Sequence, residues 1–114
     1  MVIAQGEIWC AELPVPTGSA PGFRRSIVIV QGEAFNQSRI HTVVCVPLTG
    51  NLKWADAPGN VLLTPRQTGL PKSSVANVSQ LLTLDRTSST ERVGKLPGKK
   101  LALVLSGIDV VLGG

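Results

Sequence analysis

Phe23-Arg24-Arg25 is where the sequence first suggests chemistry. Two adjacent guanidinium groups follow a stretch rich in Pro, Gly and Ser, Pro14 to Gly22, and immediately precede the apolar run Ser26-Ile27-Val28-Ile29-Val30. A loop ending in two guanidinium groups at a rigid edge suits a phosphate. The planar guanidinium offers paired donors to phosphate oxygens, and positive potential steers polyanions. Eleven Lys and Arg against seven Asp and Glu give a formal charge of +4. That excess alone is weak evidence, and Lys99-Lys100 also reads as a solvated helix start. A second long connection, Gly50–Gly59, carries Lys53, Trp54 and Asp56. Trp54 reads either as a platform for a stacked base or as a hydrophobic plug.

Other chemistries are disfavoured. His41 is the only histidine, so no mechanism needing two histidines is available and a histidine-rich metal site cannot be assembled. It reads as a strand-edge residue rather than a catalyst. Cys10 and Cys45 sit in apolar runs, without the spacing of a redox pair or the partners of a zinc site, and read as core thiols. No metal and no cofactor is expected.

The elements that must position these residues are short. Turn residues separate runs of Ile, Val and Leu, a spacing that predicts an all-β barrel or sandwich. Strands are expected at Glu7–Leu13, Ser26–Gln31, His41–Pro47, Asn60–Leu63, Ser74–Ser79 and Arg92–Leu96. Ser26–Val30 and Thr42–Val46 lack polar alternation, so both faces should be covered, by a helix or a second subunit. At the C-terminus, Leu101, Val104, Leu105, Ile108, Val111 and Leu112 fall at helical spacing, from about Pro97 to Leu112. The same segment also reads as a hairpin around Ser106-Gly107. A glycine inside a helix costs about 1 kcal/mol relative to alanine, and β-branched residues at 108, 110 and 111 favour strand. If the segment is helical, Leu103 and Val110 lie off its apolar stripe and suit a subunit interface.

With 114 residues, 43% of them hydrophobic and 16% charged, the chain is too apolar for disorder and the right size for one domain spanning 1–114. Its apolar runs fall short of the roughly 18 residues that a membrane-spanning helix needs. The N-terminus lacks the features of a secretory signal. A cytoplasmic location is expected.

The order of several segments resembles the MazF/PemK (Kid-like) family of toxin endoribonucleases. They are Gly6-Glu7-Ile8-Trp9, Gly18-Ser19 with Gly22-Phe23-Arg24-Arg25-Ser26, Ala34-Phe35-Asn36 and Val46-Pro47-Leu48-Thr49. Gly69-Leu70-Pro71-Lys72-Ser73-Ser74-Val75, Ser79-Gln80-Leu81-Leu82-Thr83-Leu84-Asp85-Arg86 and Glu91-Arg92-Val93-Gly94-Lys95-Leu96 follow in register. The resemblance implies a mainly β fold, a small SH3-like β-barrel of the PemK/MazF and CcdB-like type with a C-terminal α-helix. It thereby favours helix at the C-terminus. It further implies a homodimer that cleaves single-stranded RNA at short sequences, a cognate antitoxin, and operator DNA bound only as the toxin–antitoxin complex.

By the same resemblance, Arg25 matches the family's catalytic arginine, here followed by Ser26 rather than the usual Pro. Thr49 matches its catalytic hydroxyl residue, here followed by Gly50 rather than Ser. Ala20-Pro21 stands where many members have Glu-Gln, and Ser79 where some have an acid, so a general-base role for those acids does not carry over. Phe23, Arg24, Gly18, Ser19, Gly22, Lys53 and Gln80 are the expected RNA-binding residues.

Cleavage of this kind uses the neighbouring 2′-hydroxyl as nucleophile and leaves a 2′,3′-cyclic phosphate and a 5′-hydroxyl. Arg25 would stabilise the pentavalent phosphorane, and Thr49 would donate to another oxygen or orient the 2′-hydroxyl. Glu12, Glu33 and Asp56 have no assigned part. The alternative reading is a non-catalytic module on the same barrel that binds nucleic acid or gyrase.

Overall fold

Ile8 and Trp9, neighbours in sequence, are both buried, and so are Val28 with its neighbours Ile27 and Ile29. Side chains alternate across a strand, so these strands must have apolar layers on both faces. The computed structural model describes residues 2–13 and 23–114. Among them the strands are β1 (Glu7–Leu13), β2 (Phe23–Ile29), β3 (Thr42–Thr49), β4 (Val61–Leu63), β5 (Ser74–Ala76), β6 (Leu82–Asp85) and β7 (Ser89–Lys95). The helices are α1 (Glu33–Asn36), α2 (Pro65–Thr68) and α3 (Gly98–Val111), with 3-10 helices at Leu52–Asp56, Val78–Gln80 and Arg86–Ser88.

The strands form one curled antiparallel sheet in the order β4-β5-β3-β2-β1-β7. β3 is its hub. One edge pairs with β2, and the other pairs first with β6, through Thr42–Cys45, and then with β5, through Leu48 and Thr49.

One apolar layer holds Ile8, Val28, Val46 and Leu48 and is closed by Val61 and Leu63 of β4, Ala76 of β5 and Val104 of α3. The other holds Trp9, Ala11, Ile27, Ile29 and Cys45 and is closed by Ile3, Leu13 and Leu84. A helix therefore covers one face of β2 and β3, as expected. The sheet's own curl, rather than a second subunit, covers the other.

Gly107 settles the C-terminal ambiguity. It lies inside α3 against Gly59 of the β3–β4 connection, and a Cβ added at Gly107 would overlap the Gly59 carbonyl oxygen. Gly59 has φ +80°, and a Cβ there would sit 2.8 Å from the Gly107 carbonyl oxygen. The helix gives up about 1 kcal/mol of propensity at this position and gains a backbone-to-backbone approach that locks it to the sheet. Leu103 and Val110 stay about half exposed.

Several expectations differ from the structure, among them the strand expected at Ser74–Ser79, which stops at Ala76 and gives way to the 3-10 helix Val78–Gln80. β2 starts at Phe23 rather than Ser26, because Arg24 and Arg25 pair through their backbones with Glu12 and Ala11. The two arginines therefore belong to a strand, not to the end of a loop. β6 was not anticipated, and β7 begins at Ser89, three residues before Arg92, with register shifts along its pairing to β1. Of the two cysteines, both free, Cys45 is buried and Cys10 only half-buried. Burial pushes the Cys45 thiol up to about 12.

Candidate active site

Arg25 and Thr49 lie on neighbouring antiparallel strands. The β2–β3 pairing runs Ile29 with Cys45, Val28 with Val46 and Ile27 with Pro47. Continued two residues further, that register sets Arg25 across from Thr49. Residues opposite each other on an antiparallel pair share a face, so the two polar groups stand on one side of the sheet, at its rim.

Their surroundings fit a reactive site. Arg25 is exposed, and among the described residues its guanidinium has neither an ion-pair nor a hydrogen-bond partner. Thr49 is half-buried at the last position of β3. Its Oγ1 accepts from the Asn51 backbone N–H at 3.2 Å. That bond fixes the oxygen and leaves the hydroxyl hydrogen to be donated outward.

Arg24 is different. It points to the opposite face from Arg25 and lies between two carboxylates, 3.9 Å from Glu12 and 3.7 Å from Glu91, all three side chains more than half exposed. Exposed pairs at such distances contribute about 0–1 kcal/mol. Strand alternation, rather than these pairs, keeps the second cation off the Arg25–Thr49 rim.

The other candidates lie on other elements. Lys53 lies in the 3-10 helix Leu52–Asp56, with its Nζ 5.3 Å from the centroid of the Trp54 ring. Gln80 ends the 3-10 helix Val78–Gln80, where its backbone N–H donates to the Asn77 carbonyl. Phe23 opens β2. Gly18, Ser19 and Gly22, with the connection that contains them, lie outside the described residues.

Asn51 was missed by the sequence reading. Its N–H fixes Thr49, its Oδ1 accepts from Lys53 N–H at 3.3 Å, and its carbonyl accepts from Trp54 N–H at 3.3 Å. An Asn two residues after a strand-end Thr is the available signal, since both types favour local turns and caps.

Much of the remaining motif is structural. Glu7 Oε1 accepts from Ala4 N–H at 2.8 Å and Trp9 Nε1–H at 3.2 Å, while Oε2 accepts from Arg92 Nε at 2.7 Å. Asn36, buried, donates to the Gln31 carbonyl and Glu33 Oε1, both at 2.9 Å. Arg86 donates to the carbonyls of Asn36 at 2.9 Å and Phe35 at 2.8 Å.

Among the described residues, Glu12 and Glu33 are already engaged elsewhere and neither is offered to Arg25 as a base. Glu12 faces Arg24, and Glu33 accepts from Gln5 N–H at 2.5 Å. That bond, then the one from Asn36, holds the Glu33 carboxyl below its usual range. Among the described residues no three His, Cys, Asp or Glu side chains converge into a metal site.

Comparison with known proteins fits this arrangement. The family model for the PemK-like, MazF-like toxin of type II toxin–antitoxin systems matches residues 4–112. Endoribonuclease MazF6 of Mycobacterium tuberculosis is 41% identical over 112 residues, covering 98% of each chain. Endoribonuclease MazF of Staphylococcus saprophyticus is 31% identical over 98% of this chain and 92% of its own. The crystal structure of MazF from Deinococcus radiodurans superposes with a TM-score of 0.82 over 100% of this chain and 99% of that one, at 23% identity, a likeness of fold alone. Matched over nearly its whole length, the chain belongs to the PemK-like, MazF-like family of toxins of type II toxin–antitoxin systems.

Proposed function

We propose that this chain is an endoribonuclease toxin, one domain over residues 1–114, that cleaves single-stranded RNA at short sequences without metal, through Arg25 and Thr49. The observation that supports this reading is the β2–β3 register, which, extended two residues beyond its last pair, sets Arg25, without a partner among the described residues, across from the strand-end hydroxyl of Thr49.

In the proposed reaction the ribose 2′-oxygen attacks the adjacent phosphorus, and the bond from phosphorus to the 5′-oxygen breaks. The 2′-proton leaves with solvent or a substrate group, and the departing 5′-oxygen takes one up. Arg25 gives paired hydrogen bonds to two phosphorane oxygens, and Thr49 gives a third donor. Preorganised donors of this kind are worth about 10²–10³ in rate each. Phe23, Lys53 and Gln80, with Gly18, Ser19 and Gly22, are proposed to hold the strand around them, whereas Arg24, on the opposite face beside Glu12 and Glu91, drops out of the expected RNA-binding set.

The protein is also proposed to be a homodimer of the cytoplasm. No helix among the described residues is long and apolar enough to cross a membrane. A groove of about 410 Å³ between α3 and β4, with Leu62, Leu103 and Val110 on its walls, presents the apolar surface for a second copy. Light scattering should give twice the 12.0 kDa chain mass, and a monomer at micromolar concentration refutes this part.

Neutralisation by a cognate antitoxin, with operator DNA bound only by the joint complex, completes the proposal. A mycobacterial endoribonuclease solved in complex with its cognate antitoxin shares this fold, with a TM-score of 0.73. A small protein encoded in the neighbouring reading frame is expected, and its co-expression should restore growth. The central experiment incubates a defined oligoribonucleotide with the protein in excess EDTA and identifies the ends. Cyclic phosphate and 5′-hydroxyl ends are expected, while 3′-hydroxyl ends or loss of activity in EDTA refute the chemistry.

A further inference from the structure

We infer that Trp54, with Lys53, is a stacking platform for an unpaired nucleobase beside the scissile phosphate, held in register with Thr49 by Asn51. The inference rests on the RNA-cleaving reading above and names a recognition element for it.

Trp54 is 46% exposed whereas Trp9, the other tryptophan, is 9% exposed. A tryptophan whose task is to plug the core buries its ring, as Trp9 does. Lys53 Nζ stands 5.3 Å from the Trp54 ring centroid, close enough for a cation–π contact. The pair therefore joins an aromatic plane to a positive charge, the combination that binds single-stranded nucleic acid through base stacking and backbone charge.

Position connects the platform to Thr49. The 3-10 helix that carries it packs against β5, the strand whose Val75 pairs with Thr49. Asn51 bonds Thr49, Lys53 and Trp54 at once. The far end of the connection is pinned too, because Asn60 Nδ2 donates to the Trp54 carbonyl at 2.9 Å and Asn60 Oδ1 accepts from Val78 N–H at 3.0 Å. A mobile surface loop would place an aromatic ring nowhere in particular. This one is fixed at both ends.

The test uses a short random-sequence 2′-O-methyl oligoribonucleotide, which lacks the attacking hydroxyl, together with the matching all-RNA pool. Binding of the 2′-O-methyl probe should quench the red-shifted emission of Trp54, read by subtracting the Trp54→Phe protein, in which only Trp9 emits. Trp54→Ala should bind the probe about 5- to 150-fold more weakly, the range for loss of one stacked base. Its KM for the all-RNA pool should rise while kcat changes little. Trp54→Phe should retain most of the affinity, and Lys53→Ala should lower the salt slope by about one.

Probe binding without quenching, or unchanged affinity in Trp54→Ala, overturns the platform while wild-type cleavage of the all-RNA pool leaves the endoribonuclease reading standing. If Trp54→Ala unfolds, the quenching of the wild-type protein decides alone. Failure of the wild-type protein to cleave the all-RNA pool removes the endoribonuclease reading and this inference with it.

Discussion

Arg86 and Arg25 carry the same side chain into two different corners of the molecule. Where α1 meets β6, Arg86 donates to the carbonyls of Phe35 and Asn36 and closes the end of α1. Buried Asn36 and Gln31 bond each other beside it, with Gln31 Nε2 donating to Asn36 Oδ1 at 3.0 Å. At the rim shared by β2 and β3, Arg25 is exposed and, among the described residues, unpartnered. Polar groups inside a fold are nearly always satisfied by it. Arg86 gives both its Nη groups to the fold's own carbonyls and supports structure, with only its buried Nε left without a partner among the described residues. Arg25, on the strand beside the one that ends in Thr49, keeps its donors for something that arrives from outside. Arg24 lies between these cases, weakly held by Glu12 and Glu91.

The contrast breaks most sharply under substitution. Arg25→Ala should slow RNA cleavage about 10²- to 10³-fold, or roughly 2.7–4 kcal/mol of transition-state stabilisation, with an unchanged unfolding midpoint in urea. Arg25→Lys keeps the charge but loses the fork and should be nearly as slow. Arg86→Ala should do the reverse. It removes charged hydrogen bonds to two carbonyls and should lower stability by about 1.5–3 kcal/mol, with cleavage per folded molecule retained. Equal losses of rate and stability in both variants would erase the distinction.

A third substitution separates fold from site in another place. Gly107→Ala should destabilise by about 1–3 kcal/mol as overpacking, against the usual gain for Gly→Ala in a helix, because Gly59 occupies the space. Urea unfolding checks the sign.

Acid sharpens the same comparison with a smaller effect. Glu33 of α1 and Asp85 of β6 both titrate below their usual range. Gln5 N–H and then Asn36 lower Glu33, and Thr87, through its backbone N–H and then its hydroxyl, lowers Asp85. Depressed carboxyls contribute stability that is present above their unfolded values and lost as pH falls through the folded ones. The α1–β6 corner should therefore weaken below the ordinary carboxylate range, and Glu33→Gln should flatten that acid limb in a pH series of unfolding midpoints. Cleavage at neutral pH should not respond.

The comparison also explains what the sequence made legible. β1 was readable at its observed limits because its apolar residues run continuously from Ile8 to Leu13, broken only by Glu12. The start of β2 was hidden, because Arg24 and Arg25 look like loop residues until β1 pairs with them. β6 was hidden because Leu82-Thr83-Leu84-Asp85 is short and lies between two 3-10 helices. Pattern alone left α3 balanced against a hairpin. The reason for its glycine, contact with Gly59 from a connection nearly fifty residues earlier, is a tertiary fact that no local pattern carries. The Arg24-Arg25 pair stands out from residue types alone, but the choice of Arg25 over Arg24, and Thr49 altogether, come only through a family resemblance. The alignment of Arg25 with Thr49 across two strands depends on register, and Asn51 depends on a turn, so neither could be read from residue types.

The most direct test measures single-turnover cleavage of one defined oligoribonucleotide in excess EDTA, beside urea unfolding, for the wild-type, Arg25→Lys, Thr49→Val and Thr49→Ser proteins. The wild type should produce 2′,3′-cyclic phosphate and 5′-hydroxyl ends. Arg25→Lys and Thr49→Val should lose most of the rate at unchanged stability, and Thr49→Ser, which keeps the hydroxyl, should retain much of it. Full rates in both Arg25→Lys and Thr49→Val would contradict the assignment of catalysis to the β2–β3 rim.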